Sequence, residues 1–307
     1  MTSIVAIVGP TGVGKTELSL GVAHRLDAEI VNCDSRQVYR GLDIGTAKPS
    51  AAIRAEVPHH LFDVAEPDEA FDCFRYHAMA RVAIEEIRSR DRAVVLVGGT
   101  GLYLKALRYG LFPGPARDER LREDLYARES AARGCLHRQL ARIDALAAMR
   151  LHPNDLVRIV RAIEVYQLTG VTISDWHARH AFRGNQLDVT VVGLEMPREQ
   201  LYQRIDARCR AMMGEGLIGE ARGLLESGYA VDLPSLRSIG YREIVEHLRE
   251  GVPLERAVEK MRRATRRFAK RQMTWFRADE TITWFDARQT GSVQVLESLA
   301  AVSVRPS

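Results

Sequence analysis

The sequence predicts an α/β protein: a P-loop-type parallel sheet flanked by helices, with an all-helical insertion domain. Three observations carry this expectation. Gly9-Pro10-Thr11-Gly12-Val13-Gly14-Lys15-Thr16 fits G-x-x-x-x-G-K-[ST] at every fixed position, between an apolar β-branched run and a helical pattern. Strand and helix patterns alternate through the first third of the chain, as parallel βαβ units require. From Asp118 to about His180 no strand pattern occurs, and apolar residues recur at helical spacing.

The elements follow in order. Ser3–Val8 reads as a buried strand and Lys15–Leu26 as the helix that closes the phosphate loop. Glu29–Cys33, His60–Val64 and Ala93–Val97 are further strands, with helices over about Asp72–Arg90 and Thr100–Tyr109. Pro113-Gly114-Pro115 breaks the alternation. Helices then cover about Asp118–Arg133, Leu136–Met149 and Asp155–Leu168, and the polar stretch Arg183-Gly184-Asn185-Gln186 ends them. Val189–Leu194 is a strand again, so the chain is expected to return to the sheet. Helices follow over Pro197–Met213, Ile218–Ser227, Tyr241–Arg249 and Leu254–Phe276, with Thr281–Phe285 as a last strand. Pro at a helix start and Gly251 at a helix end fit their usual positions. The expected domains are residues 1–113 (first part of the core), 114–186 (helical insertion) and 187–307 (second part of the core, with a basic helix).

The 307 residues, 46% hydrophobic, suffice for one large domain with an insertion or for two domains. No apolar run approaches a membrane span, and no basic region precedes the first apolar run, so neither an anchor nor a signal peptide is expected. Cys33, Cys73, Cys135 and Cys209 lie far apart without metal spacing, which fits a reducing cytoplasm. Net charge is only +4, yet Lys260, Arg262, Arg263, Arg266, Arg267, Lys270, Arg271 and Arg277 form a run with no acidic residue inside it. A solvated helix face normally interleaves Glu for i,i+4 pairing, so this run points to a polyanion.

Several residues carry chemistry. The loop fixes one ligand as a di- or triphosphate, with Lys15 on its phosphates and the Thr16 hydroxyl as a Mg²⁺ ligand. Asp34 stands at the carboxyl end of the second strand, where open α/β sheets place their ligands; taken alone, a capping role is the commoner one. Gly98-Gly99-Thr100-Gly101 forms a second glycine turn at the same edge. No Asp ends the preceding strand and no guanine motif is present, which weighs against an ordinary ATPase or GTPase. Arg158 with Arg161, Arg204 with Arg208, and Arg237 with Arg242 are arginine pairs suited to phosphates or, equally, to ion pairs. His177-x-x-His180 has no third ligand beside it and is a weak metal signal. On these residues alone, a small-molecule kinase and an RNA-binding nucleotide switch remain open alternatives.

Long blocks of the chain resemble the bacterial tRNA dimethylallyltransferase family. They are Gly9–Thr16, Asp34–Pro49, Pro58–Leu61, Val97–Tyr103, Leu151–Asp155 with Arg158 and Arg161, Ser238–Arg242, and Ala269–Arg277. Phe71–Arg75 looks shorter than the family stretch, and residues 170–187 match poorly. The resemblance implies transfer of a dimethylallyl group from dimethylallyl diphosphate to N6 of adenosine 37, in tRNAs reading codons that begin with U. It implies Asp34 as the base, with Thr100 assisting. Lys15, the loop residues Gly9, Pro10, Thr11, Gly12, Val13, Gly14 and Thr16, most of them through backbone amides, and Mg²⁺ would hold the leaving diphosphate. Arg208 is the arginine chosen for that diphosphate, with Arg204 second. It implies tRNA contacts from Asp34, Ser35, Arg36, Gln37 and Thr100. Further contacts are implied from Val157, Arg158, Ile159, Val160 and Arg161, and from Arg237, Ser238, Ile239, Gly240, Tyr241 and Arg242. On the basic helix they are implied from Arg266, Lys270 and Arg271. The insertion would grip the anticodon stem-loop, and the enzyme would act as a cytoplasmic monomer.

Overall fold

The computed structural model describes residues 4–111, 114–180 and 187–303. The chain divides into two compact units, Met1–Arg108 with Leu187–Ser307, and Tyr109–Gln186. The polar stretch 183–186 and the ends of the chain lie outside the described residues.

In chain order the first unit opens with β1 (Ile4–Val8), α1 (Lys15–Leu26), β2 (Ala28–Asn32), α2 (Ala51–Glu56), β3 (His59–His60), α3 (Cys73–Ser89), β4 (Ala93–Gly98) and α4 (Gly101–Tyr109). The helical unit holds α5 (Glu119–Ala131), α6 (Cys135–Ile143), α7 (Ala145–Arg150), α8 (Leu156–Thr169) and α9 (Ile173–His180). The first unit then resumes with β5 (Val189–Glu195), α10 (Arg198–Glu215), α11 (Leu217–Glu226), α12 (Tyr241–Glu250), α13 (Leu254–Arg277), β6 (Thr283–Asp286) and α14 (Ser292–Ser303).

The six strands form one sheet in the order β3-β2-β4-β1-β5-β6, with every pair parallel. Parallel sheets are covered on both faces, which is why β1 and β4 are continuously apolar and why all five residues of β2, Glu29 and Asn32 included, are buried. Alternation along each strand sorts the side chains into two cores. Val5, Ile7, Ile30, Val95 and Val192 pack under α1, α10, α11 and α12. Ile4, Ala6, Val31, Val94, Leu96 and Val191 pack under Tyr76, Ile84 and Ile87 of α3 and Tyr103 and Leu107 of α4.

The helical unit has its own core around Leu125, Leu136, Leu140, Ile159, Val160 and Ile163. Within it Glu164 is fully buried and accepts hydrogen bonds from Arg122 (two, both 2.7 Å), Arg161 (2.7 Å) and the Asp118 N–H (3.0 Å). Burial, the largest single effect, pushes its carboxyl up, but these donors together hold it at about 2.

Three expectations need correction. The helix expected over Leu136–Met149 is two helices. Asp144 ends α6, and its carboxylate caps α7 by accepting the Ala147 N–H at 2.9 Å. The strand expected over His60–Val64 is reduced to His59–His60, because Leu61 and Asp63 take left-handed backbone (φ 63° and 55°) that no strand accommodates. The short helix α2, with α9 and α14, had no counterpart in the sequence reading.

Candidate active site

All strands run the same way, so their carboxyl ends share one edge of the sheet. The order β2-β4-β1 makes three of those ends neighbours. β1 delivers the phosphate loop, β2 delivers Asp34, and β4 delivers the Gly98–Thr100 turn. This contiguity is the topological basis of the site.

The loop is wound through left-handed positions at Gly12 (φ 85°) and Gly14 (φ 110°). At Gly9 (φ 142°) a Cβ would meet the Leu194 carbonyl oxygen at 2.6 Å. Val13 is buried beneath the loop and fixes it to the core. Lys15 Nζ donates to the Gly9 and Pro10 carbonyls at 3.1 and 3.0 Å. Burial is the main cause that brings its ammonium down to about 8; the Asp34 charge raises it and the Arg208 charge lowers it further. α10 supplies two arginines to the loop. Arg208 donates to Thr11 Oγ1 at 2.6 Å, and Arg204 Nη2 lies beside Gly14. Burial depresses the Arg208 guanidinium, and its Nε has no partner among the described residues.

Asp34 is held by its own neighbours. The buried Asn32 accepts the Asp34 N–H (3.0 Å) and donates to the Leu61 carbonyl (3.0 Å). Asp34 Oδ1 accepts the Arg36 N–H at 2.8 Å, and no hydrogen bond reaches Oδ2 among the described residues. Thr100 Oγ1 accepts the Ser35 N–H at 3.0 Å, while its N–H donates to the Cys33 carbonyl at 3.1 Å. The Thr100 hydroxyl proton therefore remains for a ligand.

The glycines of the β4 turn serve close approach. A Cβ on Gly98 would lie 2.0 Å from the Cys33 carbonyl oxygen. One on Gly99 would lie 2.1 Å from Gln272 Nε2, and one on Gly101 2.0 Å from Trp275 Nε1. α13 thus crosses directly over the turn. Gln272, buried on that helix, accepts the Thr11 N–H (2.9 Å) and donates to the Gly99 carbonyl (3.0 Å). The sequence reading missed it, although a signal existed. Met261, Thr265, Ala269, Gln272 and Phe276 form the buried stripe of α13, and an amide there demands polar partners. A cleft of about 530 Å³ beside Pro10, lined in part by Met196, Leu201, Tyr202, Lys270 and Met273, had no such signal.

The residues expected to meet RNA divide by exposure. Arg36 donates to the Pro234 carbonyl at 2.9 Å, and Gln37 Nε2 donates to the Thr46 and Ala47 carbonyls, both at 3.1 Å. Both carbonyls belong to a loop that Glu220 holds, its carboxylate accepting the N–H groups of Asp43, Ile44 and Gly45. Ser238 and Gly240 are buried, Ile239 is half-buried, and Tyr241 is fully buried with its hydroxyl on Glu220. These four build the turn into α12, so from that segment only Arg237 and Arg242 are exposed, with Arg242 paired to Glu243.

In the helical unit Ile159 and Val160 are core residues, and Arg161 is occupied by Glu164 and the Pro115 carbonyl. The side chains of Ile159 and Val160 are thus spent on packing, and that of Arg161 largely on Glu164. Val157 and Arg158 stay exposed.

The basic run also differs from its sequence reading. Acids from other elements neutralise part of it: Asp206 of α10 takes Arg262 and Arg266, Glu246 of α12 takes Lys260, and Glu195 of β5 takes Arg277. Arg266 is therefore a packing residue first. Arg267, Lys270 and Arg271 are exposed, with no acidic partner among the described residues. Thr16 Oγ1 accepts or donates no hydrogen bond among the described residues. Among the described residues no group of three His, Cys, Asp or Glu side chains could hold a metal; the His180 side chain of the His177-x-x-His180 pair lies outside them.

Comparison with known proteins gives a consistent result. A family model described as IPP transferase matches residues 37–279. The chain is 48% identical over 284 residues to tRNA dimethylallyltransferase 2 of Geotalea uraniireducens, covering 92% of each chain. It is 46% identical to tRNA dimethylallyltransferase of Geobacter sulfurreducens, covering 93% of this chain and 92% of that one. Among solved structures, the tRNA isopentenylpyrophosphate transferase of Bacillus halodurans superposes with a TM-score of 0.73 at 40% identity, over 99% of this chain and 96% of the other. A eukaryotic dimethylallyltransferase, described as acting on tRNA, gives 0.81 at 28% identity over 100% of this chain and 81% of its own.

Proposed function

The chain belongs to the IPP transferase family, and from that premise we propose the course of the reaction. The enzyme transfers a prenyl group to tRNA. The donor is dimethylallyl diphosphate, and the acceptor is N6 of adenosine 37 in tRNAs reading codons that begin with U. One observation carries the reading: the phosphate loop after β1, Asp34 after β2 and the Gly98–Thr100 turn after β4 stand at one sheet edge, with Lys15 and Arg208 bonded to the loop, so a carboxylate stands beside an anion cradle.

The diphosphate occupies the loop, where Lys15, Arg208 and the backbone amides take up its charge as the C1–O bond breaks. The adenine N6 forms the new bond to C1. Asp34, through its open oxygen, receives the N6 proton, and diphosphate leaves. Thr100 holds the Ser35 N–H and has its hydroxyl proton available for the base or the reacting oxygen. The free Thr16 hydroxyl suits Mg²⁺, a hard ion that is commonly held by one or two protein oxygens plus substrate phosphates. Bound there, Mg²⁺ would neutralise charge on the leaving group.

For N6 to reach Asp34 the base must leave the anticodon-loop stack. Ser35, Arg36 and Gln37 stand next to Asp34 and would contact the displaced nucleotide. Arg237, Arg242, Lys270 and Arg271 on the first unit, and Val157 and Arg158 on the helical unit, would contact the RNA around it. Donor cradle and base come from one chain, which supports action as a monomer, and a tRNA acceptor suits the cytoplasm; no helix among the described residues is long and apolar enough to cross a membrane.

The test is incubation with labelled dimethylallyl diphosphate, Mg²⁺ and unmodified tRNA, followed by nucleoside analysis. N6-dimethylallyladenosine at position 37 is expected. No label in RNA, or label on another base, overturns the proposal.

A further inference from the structure

We infer that Gln272 is a positioning residue that ties the donor cradle to the acceptor side of the site. The inference rests on the transfer reaction proposed above. One end of its amide accepts the Thr11 N–H of the phosphate loop, and the other end donates to the Gly99 carbonyl. Both bonds are of normal length and the side chain is 5% exposed, so water competes poorly for either partner. The orientation is dictated by chemistry, because only the amide oxygen can meet an N–H and only the NH₂ can meet a carbonyl.

Each partner leads directly to a reacting group. Thr11 is also the residue whose hydroxyl accepts from Arg208, so Gln272 and Arg208 fix it from two helices. Gly99 precedes Thr100, which holds the Ser35 N–H next to Asp34. The backbone approaches so closely that a Cβ on Gly99 would overlap the Gln272 amide. Taken by Gln272, the Thr11 N–H is withdrawn from the anion cradle. It sets the distance between the two halves of the site instead of binding phosphate.

The consequence is registration. The donor's C1 is located through the loop, and the proton acceptor is located through the β4 turn. Without the tie, each half binds its own substrate, but C1 and N6 meet less often in line. Carbon that ionises out of register is open to water: a water oxygen bonds to C1 as the C1–O bond breaks, diphosphate leaves, and the water proton goes to solvent. Dimethylallyl alcohol is the product.

The experiment is Gln272→Met, which keeps length and packing and removes both hydrogen bonds. kcat for transfer should fall about 10–100-fold, with the donor KM and the tRNA Kd within about threefold of wild type, as loss of alignment predicts. The ratio of dimethylallyl alcohol to prenylated adenosine should rise. Gln272→Glu, which retains the acceptor for Thr11 and loses the donor to Gly99, should raise the same ratio. An unchanged kcat, or a kcat loss with an unchanged alcohol ratio, overturns the inference. So does failure of both variants to fold, since Gln272 would then be a core residue only. Wild-type protein that makes no prenylated adenosine defeats the proposed reaction itself; active wild type with an unchanged ratio in Gln272→Met defeats only the role of Gln272.

Discussion

Asp34 and Lys15 show how single residues set the chemistry. Asp34 spends one carboxylate oxygen on the Arg36 N–H and keeps the other open, which fixes its direction without neutralising it. Asp34→Ala should retain tRNA binding and lose about 10²–10⁴-fold in single-turnover transfer, the usual worth of a general base. Retained rate in that variant would remove Asp34 from proton transfer. Lys15 gives a pH signature. Its ammonium is lowered to about 8 by burial, so the empty cradle loses positive charge as pH rises through 8, well below an ordinary lysine. An anion binds the charged form. The donor KM should therefore be flat from pH 6.5 to about 7.5 and climb above about 8, and steady-state kinetics across pH 6.5–9.5 would reveal it. A KM flat to pH 9.5 would mean that Lys15 keeps its proton without the donor.

At the scale of elements, α13 carries two jobs on two faces. Its inner stripe ends in Gln272 and Phe276 over the β4 turn, while its outer face presents Arg267, Lys270 and Arg271. Lys270→Ala and Arg271→Ala should each weaken tRNA binding and flatten the slope of log K against log salt by about 1. Arg266→Ala should instead lower thermal stability and leave that slope unchanged, because Asp206 already occupies the guanidinium. Binding titrations at several salt concentrations distinguish the two groups. In α8, Glu164 plays the corresponding structural part. Replacing it with Gln leaves Arg122 and Arg161 facing a neutral amide in a buried site, at a cost on the order of 3 kcal/mol. The sign with pH follows from the lowered carboxyl. The stabilisation is complete above the unfolded pKa of about 4.3 and disappears as pH falls towards about 2. Acid unfolding of Glu164→Gln should show a smaller loss over that window than wild type.

For the whole molecule, the decisive arrangement is the strand order, which sets the ends of β2, β4 and β1 side by side. Hydrogen exchange should report it. Inorganic diphosphate with Mg²⁺ is expected to protect amides of Gly9–Thr16 together with the Gly98–Gly101 turn, because Gln272 links them; protection confined to the loop would contradict that link. Much of this molecule was legible in its sequence. The phosphate loop, five of the six strands and the helical insertion follow from local rules: glycines at left-handed positions, β-branched runs and helical apolar spacing. Asp34 could be placed at a strand end for the same reason. Which strand ends become neighbours, however, depends on parallel pairing between segments far apart in the chain. Likewise Gln272, 261 residues from Thr11, declares its partners only when α13 packs over the sheet. The state of each arginine was also decided there. Arg161 and Arg266 look like Arg158 and Arg271 in sequence, and only the acids that folding brings to them, Glu164 and Asp206, turn the first two inward. Local backbone preference is written residue by residue, whereas charge compensation and burial belong to pairs that only the tertiary structure creates.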